Sequence, residues 1–194
     1  MVKKLFFFIC LFPSVIQLSA KDDVFIHKGL FCLRGSLAYG HMTKLNANNI
    51  FLSGNIDYYF EDRISMRGDG YFFIDSYKGK QPFSTLHSLF AGPIFHVAPI
   101  GSFDPYIGLE CGISIAKASS PCLGDPCTNN MLPQEMKTGL NPLISPVIGF
   151  NYFGTKWFHL TFDARYIAGT FSDNYNSAPL HEIRLSFGLG FNLF

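Results

Sequence analysis

The chain has 194 residues, 48% of them hydrophobic and only 15% charged; a soluble domain usually carries about a quarter charged residues. So much apolar side chain excludes disorder, and the length suits one domain. A formal net charge of +1 leaves no basic footprint, so no nucleic-acid partner is expected.

Residues 1–20 read as a cleavable signal peptide. Lys3 and Lys4 form a positive start, Leu5 to Phe12 is an unbroken apolar run, and Leu18-Ser19-Ala20 offers a small-residue cleavage site. The apolar core is too short for the roughly 20 residues that span a bilayer as a helix. Phe7-Phe8-Ile9 before Cys10 is too bulky for a lipoprotein cleavage box. Loss of the two lysines takes the net charge from +1 to −1. Export leads to an oxidising compartment, where disulfides persist. Cys122 and Cys127, in the stretch PCLGDPCT, are placed to close a tight loop disulfide. No His lies nearby to complete a tetrahedral metal site. Cys32 and Cys111 fall in strand-like segments and read as buried single thiols.

Residues 21–194 form the folded domain, and beyond residue 28 they alternate with period two, segment after segment. Leu30 to Gly40 sets Phe31, Leu33, Leu37 and Tyr39 against Arg34 and Ser36. Ile50 to Phe60 sets Leu52, Ile56 and Tyr58 against Ser53, Asn55 and Asp57. Ile64 to Ile74 sets Met66, Phe72 and Ile74 against Arg67, Asp69 and Tyr71. Leu86 to Val97 is strand-like but broken by Pro93, and Leu140 to Phe153 by Pro142 and Pro146. Proline removes a ladder hydrogen bond, so bulges or irregular ends are expected there. Between them, Tyr106 to Ala116 sets Ile107, Leu109, Ile113 and Ile115 against Glu110 and Ser114. The seventh segment puts Phe158, Leu160, Phe162, Ala164 and Tyr166 on one face, with His159, Thr161, Asp163 and Arg165 on the other. The eighth carries Ile183, Leu185, Phe187, Leu189, Phe191 and Leu193, with Arg184, Ser186, Gly188, Gly190 and Asn192 between them. Eight strands are predicted.

Their connections alternate in length. HMTKLNANN, SYKGKQPFS, the stretch 117–139 and FSDNYNSAP follow the odd strands; EDR, PIGSFDP and GTK follow the even ones. Long loops at one end and tight turns at the other are the pattern of a transmembrane barrel. Alternation alone leaves open which face points inward, since a soluble lipocalin-like barrel with an apolar ligand inside shares the period. The polar faces favour apolar-out. They carry Arg34, Asp57, Arg67, Asp69, Glu110, Asp163, Arg165, Glu182 and Arg184, four positive and five negative, a set able to interlock as ion pairs in a narrow lumen. Aromatic residues gather at the segment ends, Tyr58, Tyr59, Phe60, Tyr152, Phe153, Trp157 and Phe158 at one and Tyr39, Phe73, Tyr77, Tyr166 and Phe171 at the other, as membrane-interface girdles do.

In this pattern the chain resembles the small outer-membrane β-barrels of Gram-negative bacteria, the OmpA/OmpX-like class. The resemblance implies an all-β fold, an eight-stranded antiparallel up-and-down transmembrane β-barrel without enzymatic activity or cofactor. It implies outer-membrane lipid and lipopolysaccharide as surroundings, and the barrel-assembly machinery and periplasmic chaperones as assembly partners. Phe191-Asn192-Leu193-Phe194 resembles the terminal-aromatic signal that this machinery reads. Phe194 is out of phase with Phe191 and Leu189, so either a late bulge corrects the parity or that ring does not face lipid.

Other chemistry is weaker. Arg67-Gly68-Asp69 spells an adhesive tripeptide, but in this register both charges enter the lumen. His159, Thr161 and Glu182 on one wall offer a hydrolytic set, the basis of an alternative reading as a lipid-modifying enzyme on the same scaffold. Solute-passing porins have about sixteen strands, so eight predict a blocked or very narrow lumen. The long loop 117–139 is the expected region of contact with an extracellular partner.

Overall fold

A computed structural model describes residues 25–77, 81–97, 100–119, 138–172 and 177–193. Nine strands run through them: β1 Phe31–Met42, β2 Ala47–Glu61, β3 Ile64–Ser76, β4 Phe83–His96, β5 Phe103–Ala118, β6 Gly139–Thr155, β7 Phe158–Ser172, β8 Ser177–Pro179 and β9 Glu182–Leu193. All pairings are antiparallel. Each barrel strand pairs with the next, β6 pairs with β7, β7 with β9, and β9 returns to β1, so eight strands close a ring. The three-residue β8 is a side hairpin on the end of β7. Closure leaves no strand edge, the condition for placing backbone in hydrocarbon.

The side chains show which way the barrel is turned. Leu37 and Phe187, paired across β1 and β9, are 62% and 60% exposed, while Arg67 is fully buried. The outside is a belt of Leu, Ile and Phe, and the inside is polar at mid-height. That inside-out arrangement overturns the lipocalin-like alternative, which needs an apolar interior. The barrel strands are 12 to 17 residues long, more than the roughly 9–11 that cross a bilayer, so they are long enough for their ends to stand clear of hydrocarbon.

All eight predicted segments are strands. Pro93, Pro142 and Pro146 point outward; the pairing of β4 with β5 skips residues 92–93 and that of β6 with β7 skips 145–146, while the register shifts, at Phe83/Thr85 and Phe153/Thr155, fall near the strand ends and away from the prolines. The first long connection proves short. Strand pairing continues up to Met42–Ala47, leaving a turn of residues 43–46 in which Asn46 takes a left-handed conformation, φ 49°; asparagine tolerates that geometry better than most residues. At the other end, β9 alternates without a register shift to Leu193, so no late bulge occurs among the described residues. Phe191 faces outward. Phe194, the signal peptide and the pair Cys122–Cys127 lie outside the described residues.

Candidate functional site

All nine charges expected in the lumen are there, and all are buried. They form three groups stacked along the barrel. Nearest the short turns, Asp57 bridges two strands: it accepts from Arg34, and Arg67 Nε donates to its Oδ1 at 2.9 Å. The Arg67 guanidinium lies 4.3 Å over the Tyr106 ring. At mid-height Arg165 donates from Nη1 to Glu110 at 2.9 Å and from Nη2 to Asp69, and its Nε stands 3.8 Å from Asp163. Asn55 also donates to Asp69. Toward the loops, Arg184 pairs with Glu182 at 2.5 Å and donates to Ser88 at 3.0 Å, with Phe51 beneath it at 3.8 Å. Arginine suits this work, because its planar fork binds two acceptors while its face stacks on a ring. Buried pairs of this kind need not stabilise the fold, but losing one partner leaves a costly lone charge. Arg67 and Asp69 of the adhesive tripeptide are both consumed here.

The charges do not fill the lumen alone. At the loop end Phe51, Tyr71, Phe83, Leu86, Phe90 and Phe171 pack inside it with neighbouring aliphatics, and Ala178 and Leu180, on and beside β8, join them. At the short-turn end the segment 25–30 folds across the mouth: Ile26 and Leu30 pack on Cys32, Tyr59 and Phe153, and Phe25 stacks on Phe153 at 5.7 Å. This strap is held by Gly29 N–H donating to Tyr59 at 2.8 Å and by an exposed Lys28–Glu61 ion pair at 2.7 Å. That hydrogen bond to Glu61 raises the Lys28 pKa above its ordinary value. Tyr59, Phe153 and Phe171 therefore belong to the plugs and not to the interface girdles where the sequence reading placed them. Their parity, shared with the lumen residues of the same strands, is the reason. Cys111 corrects another expectation: it is exposed on the outer face, whereas Cys32 is buried as expected.

The hydrolytic set expected from His159, Thr161 and Glu182 does not assemble. His159 sits opposite Gly190, eight residues along β9 from Glu182, which at a rise of about 3.3 Å per residue is roughly 26 Å. His159 Nδ1 instead lies 2.7 Å from Asn192 Oδ1, and Arg34 donates to Thr161 at 3.3 Å. A Cβ on Gly190 would run into the His159 ring, so glycine is needed there for close approach.

A different constellation stands at the same end. Ser65 Oγ is 3.0 Å from His96 Nε2, and His96 Nδ1 is 2.8 and 2.9 Å from the two oxygens of Asp104. All three side chains are buried in the lumen. The Tyr59 ring lies 4.6 Å from that of His96, tilted by 35°, and Asn151 donates to Asp104 at 2.9 Å. The sequence reading missed it because β4 looked irregular near Pro93 and Asp104 was assigned to a turn. The parity of β5 was the available signal, since Asp104 shares it with Tyr106 and Glu110.

No protein-family model and no curated protein matches the chain in sequence. Solved structures do match in fold. Neisserial surface protein A is similar with a TM-score of 0.61 at 15% identity, over 86% of this chain and 98% of that one. The outer membrane protein OprG of Pseudomonas aeruginosa gives 0.59 at 17%, over 88% and 99%. Ail, the attachment invasion locus protein of Yersinia pestis, gives 0.55 at 14%, over 86% and 99%. The chain has the fold of the small eight-stranded outer-membrane β-barrels.

Proposed function

We propose that this is an integral protein of the Gram-negative outer membrane, closed to the passage of solutes across it, whose principal work is contact at its loop rim. The observation that carries the reading is the filled lumen: an apolar plug at each end and interlocked ion pairs between. A barrel so filled is a rigid stand, and loops on a rigid scaffold are where binding concentrates. The long connection 117–139 is the contact region, closed locally by a Cys122–Cys127 disulfide. The names of two structural neighbours, a surface protein and an attachment locus protein, agree with a surface role. The export signal at 1–20 delivers the chain, and lipid and lipopolysaccharide cover the apolar belt. Periplasmic chaperones and the assembly machinery insert it, the latter reading Phe191 and Phe194.

The test has two arms. Purified protein in planar bilayers gives no stepwise conductance, and replacement of residues 120–137 by a short Gly-Ser linker abolishes adhesion of expressing cells to matrix-coated surfaces while leaving membrane assembly intact. Discrete open levels in the bilayer, or full adhesion without the loop, would overturn the reading.

A further inference from the structure

The short-turn end of the lumen carries chemistry that the ion pairs above it do not. Among the described residues, Asp57, Asp69, Glu110, Asp163 and Glu182 each have an arginine as ion-pair partner. Asp104 has an imidazole instead, and that imidazole is shared with a serine hydroxyl. The direction of the hydrogen bonds follows. Asp104 also accepts from Asn151, so as a carboxylate it fixes the His96 proton on Nδ1. His96 Nε2 then presents its lone pair to the Ser65 hydroxyl at 3.0 Å. A hydroxyl whose proton is already directed at a base, with the base oriented by a carboxylate, is the arrangement that activates serine in unrelated hydrolases.

We infer that Ser65 is a nucleophile, with His96 as its base and Asp104 as the residue that positions His96, and that the set performs acyl transfer on small carboxylic esters entering from the short-turn mouth. Ser65 Oγ forms a bond to the ester carbonyl carbon and its proton passes to His96 Nε2. The bond from carbon to the alkoxy oxygen breaks, and the proton leaves with the alcohol. A water molecule then repeats the sequence, releasing the acid and restoring Ser65. No other reactant is needed. The backbone amides of β3 are committed to ladders on both sides, so the developing oxyanion needs side-chain donors. Arg67 is the next lumen-facing residue on β3, and its Nη1 and Nη2 are buried without a hydrogen-bond partner among the described residues. Its guanidinium lies over Tyr106, whose ring is 5.9 Å from that of His96. A narrow eight-stranded lumen limits the acyl group to a short one.

The strap 25–30 is the door. Ile26 and Leu30 cover Tyr59, and Tyr59 covers His96. Among the described residues the strap is tied by backbone bonds from Gly29 N–H to the Tyr59 carbonyl and from Tyr59 N–H to the Leu30 carbonyl, by Lys28 N–H donating to Asp62, and by the exposed Lys28–Glu61 ion pair, which contributes little. With the strap seated, Ser65 is only 1% exposed. The inference concerns the end of the barrel opposite the contact loop, so either reading can fail without the other.

The test uses the full chain folded in detergent micelles and diisopropyl fluorophosphate as probe, with the modified residue located by peptide mass. Folding of every variant is checked by the shift of its gel band on boiling. Ser65 becomes phosphorylated in the wild type, at least tenfold faster in Phe25→Ala, which removes only the stacked ring at the mouth, and faster again in Leu30→Asp. The rate falls by about 10²-fold or more in His96→Gln, falls also in Asp104→Asn, and the adduct is absent in Ser65→Ala. A short burst of 4-nitrophenol from 4-nitrophenyl acetate follows the same order. No adduct at Ser65 in folded wild type and folded Phe25→Ala would overturn the inference, as would an adduct rate unchanged by His96→Gln.

Discussion

Replacing Arg165 with methionine is the sharpest perturbation of the lumen. Methionine keeps most of the stem that packs near Tyr71 and Phe90, over which the guanidinium now sits at 4.8 and 5.1 Å. It removes the cation from Asp69, Glu110 and Asp163 together. Breaking a buried pair costs about 3–5 kcal/mol, because the partner's charge is left without compensation. Here two close carboxylates are stranded, with Asn55 still donating to Asp69, so a value within that range is expected. At about 1.4 kcal/mol per factor of ten, this is a loss of at least 10²-fold in the folding equilibrium. The assay is reversible urea unfolding in phospholipid vesicles, followed through the fluorescence of Trp157, the single tryptophan. The triple variant Arg165→Met, Asp69→Asn, Glu110→Gln separates lost charge compensation from lost packing. With the carboxylates neutralised, most of the stability returns, and the effects are strongly non-additive. A loss below about 1 kcal/mol for Arg165→Met, or a triple variant less stable than the single one, would refute the reasoning.

Three further outcomes follow from the same geometry. Phe187→Arg, on the outer face near the middle of β9, lowers stability by about 2–4 kcal/mol in the same vesicle assay, the cost of an arginine at the bilayer midplane; an unchanged midpoint would count against a lipid-facing belt. Gly190→Leu, whose side chain collides with His159 inside the lumen, leaves the barrel unfolded or markedly destabilised, whereas Gly35→Ala, where a Cβ meets nothing within 4 Å, shifts the midpoint little. Comparable losses for the two would contradict the inside–outside assignment. A lipid-soluble maleimide modifies Cys111 in the folded protein and spares Cys32 until unfolding, read from peptide masses; equal modification of both would place the two thiols in similar surroundings.

The strands were legible because a barrel wall obeys a period of two wherever lipid and lumen are its two sides, and β9 states it without interruption from Glu182 to Leu193. Burial of the nine charges followed from the same parity. Three features were harder to see. Tyr59, Phe153 and Phe171 were grouped by nearness to strand ends, although their phase set them inside; position along a strand selects the interface, but parity selects the face. The Ser65–His96–Asp104 series joins three strands, and its assembly depends on the stagger of the closed barrel, which no single segment encodes. His96 was obscured by Pro93 three residues earlier, and Asp104 by a turn reading of PIGSFDP. The strap 25–30 reaches the first alternating segment only at Leu30 and carries no period of its own.

The central claim is that the apolar face meets lipid and the charged face is enclosed. Membrane fractionation of expressing cells, with unboiled and boiled samples run on a denaturing gel, tests it most directly. The account predicts recovery with the outer membrane and a cold band that migrates differently from the boiled one, since a closed barrel resists detergent until heated. A soluble periplasmic band whose migration does not change on boiling would contradict it.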